Sequence, residues 1–126
     1  MVKMLVVDDE PEICDFLKNF FIEKKYDVQT ATSGEEALSQ VRKDKPHVML
    51  LDIKMPGISG IDVLRQVKQI DRSIKVIMVT VIEDRSMADL AKEFGADNYV
   101  TKPFSLEYLE RDVMKKIVEL LAEKAR

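Results

Sequence analysis

The chain has few of the residues that build disulfides, thiolate metal sites and membrane spans. Its single cysteine, Cys14, excludes an intramolecular disulfide and a multi-thiolate zinc site. Its single histidine, His47, excludes a metal centre built from several histidines. The longest apolar run covers residues 76–82 and contains a threonine. It is far shorter than the about 20 residues that cross a bilayer, so we expect no membrane segment.

Neither sign of charge dominates the sequence. With 20 Lys and Arg against 23 Asp and Glu the net charge is −3, so this segment is not expected to bind nucleic acid directly. A hydrophobic share of 46% is too high for a disordered chain. The length of 126 residues suits one domain. The N-terminus reaches Asp8 quickly and lacks a small-residue cleavage site, so we expect no signal peptide and a cytoplasmic location.

Short apolar runs occur at intervals that suit the strands of a parallel sheet. Continuous runs at residues 4–7, 48–51 and 76–79 are typical of strands that are buried on both faces. Residues 26–30 alternate between apolar and polar, which predicts a more exposed strand. Residues 98–100 predict a short last strand.

Helical periodicity fills the segments between these strands. Ser33, Ser59 and Ser105 each stand where a helix N-cap is expected, and Gly95 stands where a left-handed C-terminal cap is expected. Helical spacing places one set of apolar side chains on one face of the first helix: Ile13, Phe16, Leu17, Phe20 and Phe21. The last helix has a similar set of apolar side chains in line: Leu106, Leu109, Val113, Ile117 and Leu120.

The alternation of strands and helices predicts an α/β domain with a parallel sheet and helices on both faces. Sheets of this kind bind ligands beyond the carboxyl ends of their strands. Polar residues that suit chemistry follow the predicted strands at those ends: Asp8, Asp9, Asp52, Thr80 and Lys102. Each of them alone is also compatible with a helix cap, a turn or a surface position. Their common placement favours a functional site.

These residue types together suit phosphoryl transfer. The carboxylates of Asp8, Asp9 and Asp52 would repel one another unless a cation is present, and oxygen ligands suit Mg²⁺. An aspartate is also a nucleophile that forms an acyl phosphate. A lysine and a metal stabilise the charge of a phosphoryl group in transfer, and the hydroxyl of Thr80 can donate to one of its oxygens. We therefore predict Mg²⁺-assisted phosphoryl transfer onto an aspartate.

The same residues belong to five motifs that occur in order along the chain. With these motifs the chain resembles the receiver domain of two-component response regulators from end to end. The matching pieces are Asp8-Asp9, residues 51–60 (LDIKMPGISG), Thr80, residues 95–99 (GADNY) and residues 102–104 (KPF).

The resemblance implies both a fold and a chemistry. It implies a flavodoxin-like (βα)5 domain over residues 1–126, with five parallel strands in the order 2-1-3-4-5. It implies that Asp52 accepts a phosphoryl group from a sensor histidine kinase or a histidine phosphotransfer protein. Lys102 would pair with Asp52 or with its phosphoryl group, and the peptide bond before Pro103 would be cis.

A magnesium site is implied by the same resemblance. Asp9 and Asp52 would ligate Mg²⁺ directly, and the backbone carbonyl of Lys54 would be a further ligand. Asp8 would hold a metal-bound water.

The resemblance also implies a conformational switch. Thr80 would move toward the phosphoryl oxygens, and Tyr99, which matches the switch aromatic of the family, would then turn inward. The surface of the fourth helix, fifth strand and fifth helix would present the change to a partner, including a second copy of this chain.

Two other functions remain as alternatives. A phosphatase of the haloacid dehalogenase type also uses an aspartate nucleophile, but such enzymes usually place a second aspartate two residues later, where this sequence has Lys54. A non-phosphorylated interaction module on this fold would normally lack part of the acid set or the lysine, and this sequence keeps them. We therefore expect a phosphorylated receiver and not a turnover enzyme.

Three residues near the proposed phosphoacceptor or the switch hydroxyl are expected to tune the reaction. Val81 stands where receivers usually have alanine or glycine, so its methyl groups are expected to narrow access to Asp52 and slow phosphorylation by small donors. Ile82 and Lys54 occupy the positions that influence dephosphorylation in the family. Ile82 cannot orient an attacking water, so we expect a comparatively long-lived phosphoryl group.

The last helix, from Ser105 through Lys124, is longer than a receiver requires. Its extra turns suit a linker toward an output domain or a contact between two copies. A protein that works alone is the third interpretation of this helix.

Overall fold

The computed structural model, which describes residues 1–81 and 85–124, contains one five-stranded sheet. All neighbouring strands are parallel, and their order is β2-β1-β3-β4-β5. This confirms the predicted fold class and strand order. The strands are β1 (Lys3–Val7), β2 (Asp27–Ala31), β3 (Val48–Asp52), β4 (Lys75–Val81) and β5 (Asn98–Lys102).

Five helices connect and follow these strands. They are α1 (Pro11–Glu23), α2 (Gly34–Lys43), α3 (Gly60–Ile70), α4 (Arg85–Glu93) and α5, which consists of Leu106–Tyr108, a π-helical segment Leu109–Val113 and Met114–Lys124. Ser33, Ser59 and Ser105 each accept a hydrogen bond from a backbone N–H three residues later, as predicted. Gly95 has a φ of 99° after α4, also as predicted. Within residues 1–81 and 85–124, no helix has the length and apolar character needed to span a bilayer.

The core consists of two hydrophobic clusters, one on each face of the sheet. In β1 the side chains of Met4 and Val6 lie in the cluster under α1 and α5, while Leu5 and Val7 lie in the cluster under α2, α3 and α4. Successive side chains of a strand point to opposite faces, so a strand covered on both sides must be apolar at every position. This requirement explains the continuous apolar runs in the sequence.

Two apolar side chains that were predicted to face the core are instead exposed. Phe16 is 39% exposed, because the buried stripe of α1 is centred on Cys14, Leu17 and Phe21 and Phe16 lies at its edge. Leu106 is 60% exposed, because it belongs to the turn ahead of the π-helical segment and the buried stripe of α5 begins at Leu109. The remaining apolar positions predicted for these two helices are buried or pack against the core.

Candidate functional site

The predicted site residues meet at the carboxyl edge of the sheet. Asp8 and Asp9 directly follow β1, Asp52 is the last residue of β3, and Lys102 is the last residue of β5. Thr80 lies in β4, between the strands that end in Asp52 and Lys102. Parallel strands end at one edge, so residues about 50 positions apart in the chain become neighbours.

The three aspartates form an acidic cluster. Oxygens of Asp8, Asp9 and Asp52 all lie within 4.8 Å of one another. Asp8 is 2% exposed and Asp52 is 6% exposed, while Asp9 is more open to solvent. This set of carboxylate oxygens, with room for water on the side of Asp9, suits a hard divalent cation such as Mg²⁺.

The ammonium group of Lys102 bridges two of these aspartates. Its Nζ lies 2.9 Å from Oδ2 of Asp8 and 3.1 Å from Oδ2 of Asp52, and Oε2 of Glu10 is 3.9 Å away. Burial of Lys102 opposes its charge, but the hydrogen bonds and ion pairs with Asp8 and Asp52 outweigh burial and raise its pKa above the ordinary value. Lys102 is therefore a permanent positive charge in the site at neutral pH.

The carboxyl group of Asp52 has a raised pKa. Burial is the largest cause, and the nearby charge of Asp8 raises the pKa further, while Lys102 lowers it. A hydrogen bond from the backbone N–H of Lys54 to Oδ1, at 3.3 Å, also favours the carboxylate. Asp52 is thus a desolvated carboxylate whose charge depends on nearby cations, and such a group is more nucleophilic than one surrounded by water.

A cavity opens onto Asp52 from solvent. Its lining includes Glu10, Lys54, Thr80 and Val81, together with Asp52 and Lys102. The Thr80 hydroxyl donates to the carbonyl of Val81 at 3.2 Å, and Val81 is 44% exposed. Val81 therefore lies at the wall of the cavity that opens onto Asp52, and its effect on access stays a prediction. Ile82, to which we assigned an effect on phosphoryl lifetime, lies outside the described residues.

The peptide bond between Lys102 and Pro103 is cis, as the resemblance implied. The cis bond directly follows the lysine that contacts Asp8 and Asp52.

Tyr99 stands at the border of a second cavity. Its side chain is 51% exposed on β5, and the cavity beside it is also lined by Thr80, Ala88 and Thr101. One cavity therefore joins the predicted switch hydroxyl to the predicted switch aromatic, with the ring in its outward position.

Sequence reasoning missed two residues that support the site. A Cβ at Gly60 would overlap the backbone carbonyl oxygen of Asp52 and lie 2.8 Å from Cα of Ile53, so only glycine fits this approach of α3 to the end of β3. The Cys14 thiol donates to the carbonyl of Asp8 at 3.3 Å. The presence of glycine directly after the Ser59 cap could have indicated a close backbone approach at position 60. Nothing in the sequence links Cys14 to Asp8.

The sequence and the fold were compared with those of known proteins. The sequence matches the family model of the response regulator receiver domain over residues 4–114. It is 38% identical over 118 residues to sporulation initiation phosphotransferase F of Bacillus subtilis (strain 168), covering 94% of each chain. It is 41% identical over 103 residues to the alkaline phosphatase synthesis transcriptional regulatory protein PhoP of the same organism, covering 82% of this chain and 43% of PhoP.

Solved structures agree with the sequence matches. A CheY-like response regulator receiver domain protein from Methanospirillum hungatei superposes with a TM-score of 0.91 at 30% identity, covering 99% of this chain and 97% of that one. The response regulator protein TrrA from Thermotoga maritima, solved in complex with Mg²⁺-BeF, has a TM-score of 0.79 at 38% identity, covering 92% and 99%. With the family match spanning most of its length, this chain belongs to the response regulator receiver domains of two-component systems.

Proposed function

We propose that this receiver accepts a phosphoryl group on Asp52 in a Mg²⁺-dependent reaction, and that the donor is a sensor histidine kinase or a histidine phosphotransfer protein. The observation that carries the proposal is the bridge from Lys102 to both Asp8 and Asp52 beside a solvent-accessible cavity. An ammonium group held there can contact a phosphoryl oxygen without moving to a new place.

The transfer makes one bond and breaks one. A carboxylate oxygen of Asp52 attacks the phosphorus of the donor phosphohistidine, and an O–P bond forms while the N–P bond breaks. The electron pair of the broken bond stays on the imidazole nitrogen, and the donor histidine is left neutral after proton exchange with solvent. Lys102 stays protonated and donates to the transferring group, and the Thr80 hydroxyl supplies a second donor.

The acidic cluster is the proposed metal site. Asp9 and Asp52 would hold Mg²⁺ through their carboxylates, Lys54 through its backbone carbonyl, and Asp8 through a water. When bound, the metal neutralises charge on the carboxylates and on the phosphoryl group. Asp8 has a second role in the chain itself, because its Oδ2 holds the Lys102 ammonium 2.9 Å away.

The proposed switch uses the cavity between Thr80 and Tyr99. Movement of the Thr80 hydroxyl toward the phosphoryl group vacates space behind it, and the Tyr99 ring turns inward into that space. The change then reaches a partner through the surface of α4, β5 and α5. We propose a homodimer as one such partner, because Leu90 on α4 and Phe94 directly after it are each 36% exposed and offer apolar contact area.

We further propose that residues 1–126 form one cytoplasmic receiver unit and that the end of α5 is a linker or a dimer contact. A turnover phosphatase is disfavoured because the position two residues after Asp52 is Lys54 and not an aspartate. This chain covers 43% of PhoP, which is named a transcriptional regulatory protein, and the function proposed for residues 1–126 is that of the receiver alone.

Labelling from a phosphohistidine donor tests the proposal. The wild type should take up radiolabel only with Mg²⁺, and the Asp52→Asn variant should take up none, since an amide is not a nucleophile here. Asp62→Asn is the matched control, because Asp62 is an exposed aspartate on α3.

Three results would contradict the proposal. Undiminished labelling of Asp52→Asn would remove Asp52 as the acceptor. A wild type that is never labelled would indicate a non-phosphorylated interaction module, and steady phosphate release from a small ester would indicate a phosphatase.

A further inference from the structure

A lysine of α5 contacts the proposed switch residue at two points. The ammonium of Lys116 donates a hydrogen bond of 2.9 Å to the backbone carbonyl of Tyr99. The same nitrogen lies 5.7 Å from the centre of the Tyr99 ring, within the range of a cation–π interaction. The Tyr99 ring is the outward, 51% exposed one described above.

The two contacts differ in how they depend on the ring. The hydrogen bond goes to the main chain of β5, so it places the ammonium beside Tyr99 whichever way the ring points. The cation–π contact exists only while the ring is outward, so it favours that position alone. The backbone bond thus keeps the cation in place, and the ring contact makes the inward position less favourable.

There is also space for the Tyr99 ring in an inward position. The cavity lined by Thr80, Ala88, Asp89, Tyr99 and Thr101 lies next to the ring on the side of α4. α4 buries only Ala91, so few packed side chains have to move when the ring enters this space. A single surface contact can therefore shift the equilibrium between the outward and the inward position of the Tyr99 ring.

We propose that Lys116 holds the Tyr99 ring outward and so sets how much of the unphosphorylated protein is already in the active arrangement. This inference rests on the proposed switch at Asp52, Thr80 and Tyr99. Removal of the cation should raise the share of inward ring. Because apparent affinity scales with the share of the competent state, the affinity for an acyl phosphate mimic should rise by about two- to fivefold.

The test uses the full chain and beryllofluoride with Mg²⁺ as the mimic. Ring-¹³C-labelled tyrosine gives resonances for Tyr26, Tyr99 and Tyr108, and Tyr99→Phe assigns the one from the switch. The variants are Lys116→Met, which keeps the aliphatic chain, and Lys116→Arg, which keeps a cation. Lys115→Met is the matched control, since Lys115 is the neighbouring exposed lysine on the same helix.

The expected result has three parts. Lys116→Met without the mimic should move the Tyr99 resonance toward its position in the loaded wild type and should bind beryllofluoride about two- to fivefold more tightly. Lys116→Arg and Lys115→Met should match the wild type in both measurements.

Two outcomes would overturn the inference, and they differ. If beryllofluoride moves the Tyr99 resonance of the wild type while Lys116→Met behaves like Lys115→Met, the role of Lys116 is wrong and the switch stands. If the wild-type Tyr99 resonance does not move on loading, the proposed switch is wrong and the inference fails with it.

Discussion

Two strand–helix pairs of this receiver, β3 with α3 and β5 with α4, differ in how much of their surface is buried. All five residues of β3 are buried, and α3 buries five of its own. In β5 only Val100 is buried, and in α4 only Ala91. The first pair carries the proposed phosphoacceptor Asp52, and the second carries the proposed switch residue Tyr99.

The difference separates a fixed chemical site from a movable surface. A nucleophile and its cations must be held to a fraction of an ångström, and close packing under β3 and α3 provides that. A switch needs two arrangements of similar free energy, and an element with little buried apolar area can change position at low cost. The packing of each pair thus suits its proposed task.

The largest expected effect comes from one substitution made in both pairs. Leu50 in β3 is fully buried, and its replacement by alanine leaves a cavity that costs about 3 kcal/mol of unfolding free energy. Leu90 in α4 is 36% exposed, and Leu90→Ala should cost about 0.5 kcal/mol or less. Urea denaturation measures both. Equal losses would show that the two pairs are packed alike.

A second pair of substitutions compares two glycines. Gly60→Ala forces a Cβ against the backbone of Asp52 and should cost about 2 kcal/mol, with slower phosphorylation because the acceptor shifts. A Cβ at Gly95 would meet only Lys68 side-chain atoms at 3.6 Å or more. Gly95→Ala should therefore lower the free energy of unfolding only through its left-handed φ, by about 1 kcal/mol. Its phosphorylation rate should not change. An unaltered rate in Gly60→Ala would show that Asp52 does not depend on that contact.

A partly buried ion pair joins Asp97, the residue directly before β5, to Lys68 on α3. Asp97 Oδ2 accepts from Lys68 at 2.8 Å and from the backbone N–H of Val76 at 2.8 Å, and the Lys68 side chain is 13% exposed. Asp97→Asn leaves that lysine without a counter-charge and should cost about 1–2 kcal/mol. Asp44→Asn breaks the exposed ion pair with Lys3 and should cost much less than Asp97→Asn, because solvent screens that pair. Thermal or urea unfolding that ranks the two equally would contradict this assignment.

The smallest effect is expected at the border between the two pairs. Val81 ends β4 and lines the cavity in front of Asp52, so Val81→Ala should speed phosphorylation by a small donor such as acetyl phosphate by about threefold, less than 1 kcal/mol of barrier. Val118→Ala, at an exposed position of α5, is the control. A Val81→Ala rate equal to that of the control would mean that access does not limit the reaction.

Much of the fold was predictable because its rules are local. The apolar runs at β1, β3 and β4 and the capping serines are read from a few adjacent residues, and each of these predictions is confirmed. Phe16 and Leu106 were placed wrongly, because the spacing of apolar residues defines a stripe but not which of its edges the neighbouring elements cover.

In the candidate site, too, some features were predictable from the sequence and others depended on packing. Four site residues were predicted to share one edge of the sheet because they follow parallel strands. The structure brings them together: Asp8, Asp9, Asp52 and Lys102. Their roles in phosphorylation stay predictions. The need for glycine at position 60 and the thiol contact to Asp8 were missed, because both depend on how closely a helix approaches the end of a strand.

Local pattern was enough to indicate the alternation of strands and helices, the family motifs and the edge of the sheet where the acids gather. Only the packed fold could show that Lys102 contacts two aspartates at once, that α4 buries only Ala91, and that the Lys116 ammonium lies beside an exposed Tyr99 ring. The physical reason is distance along the chain. Periodicity and capping act over a few residues, whereas these contacts depend on the twist of the sheet and the seating of helices far apart in sequence.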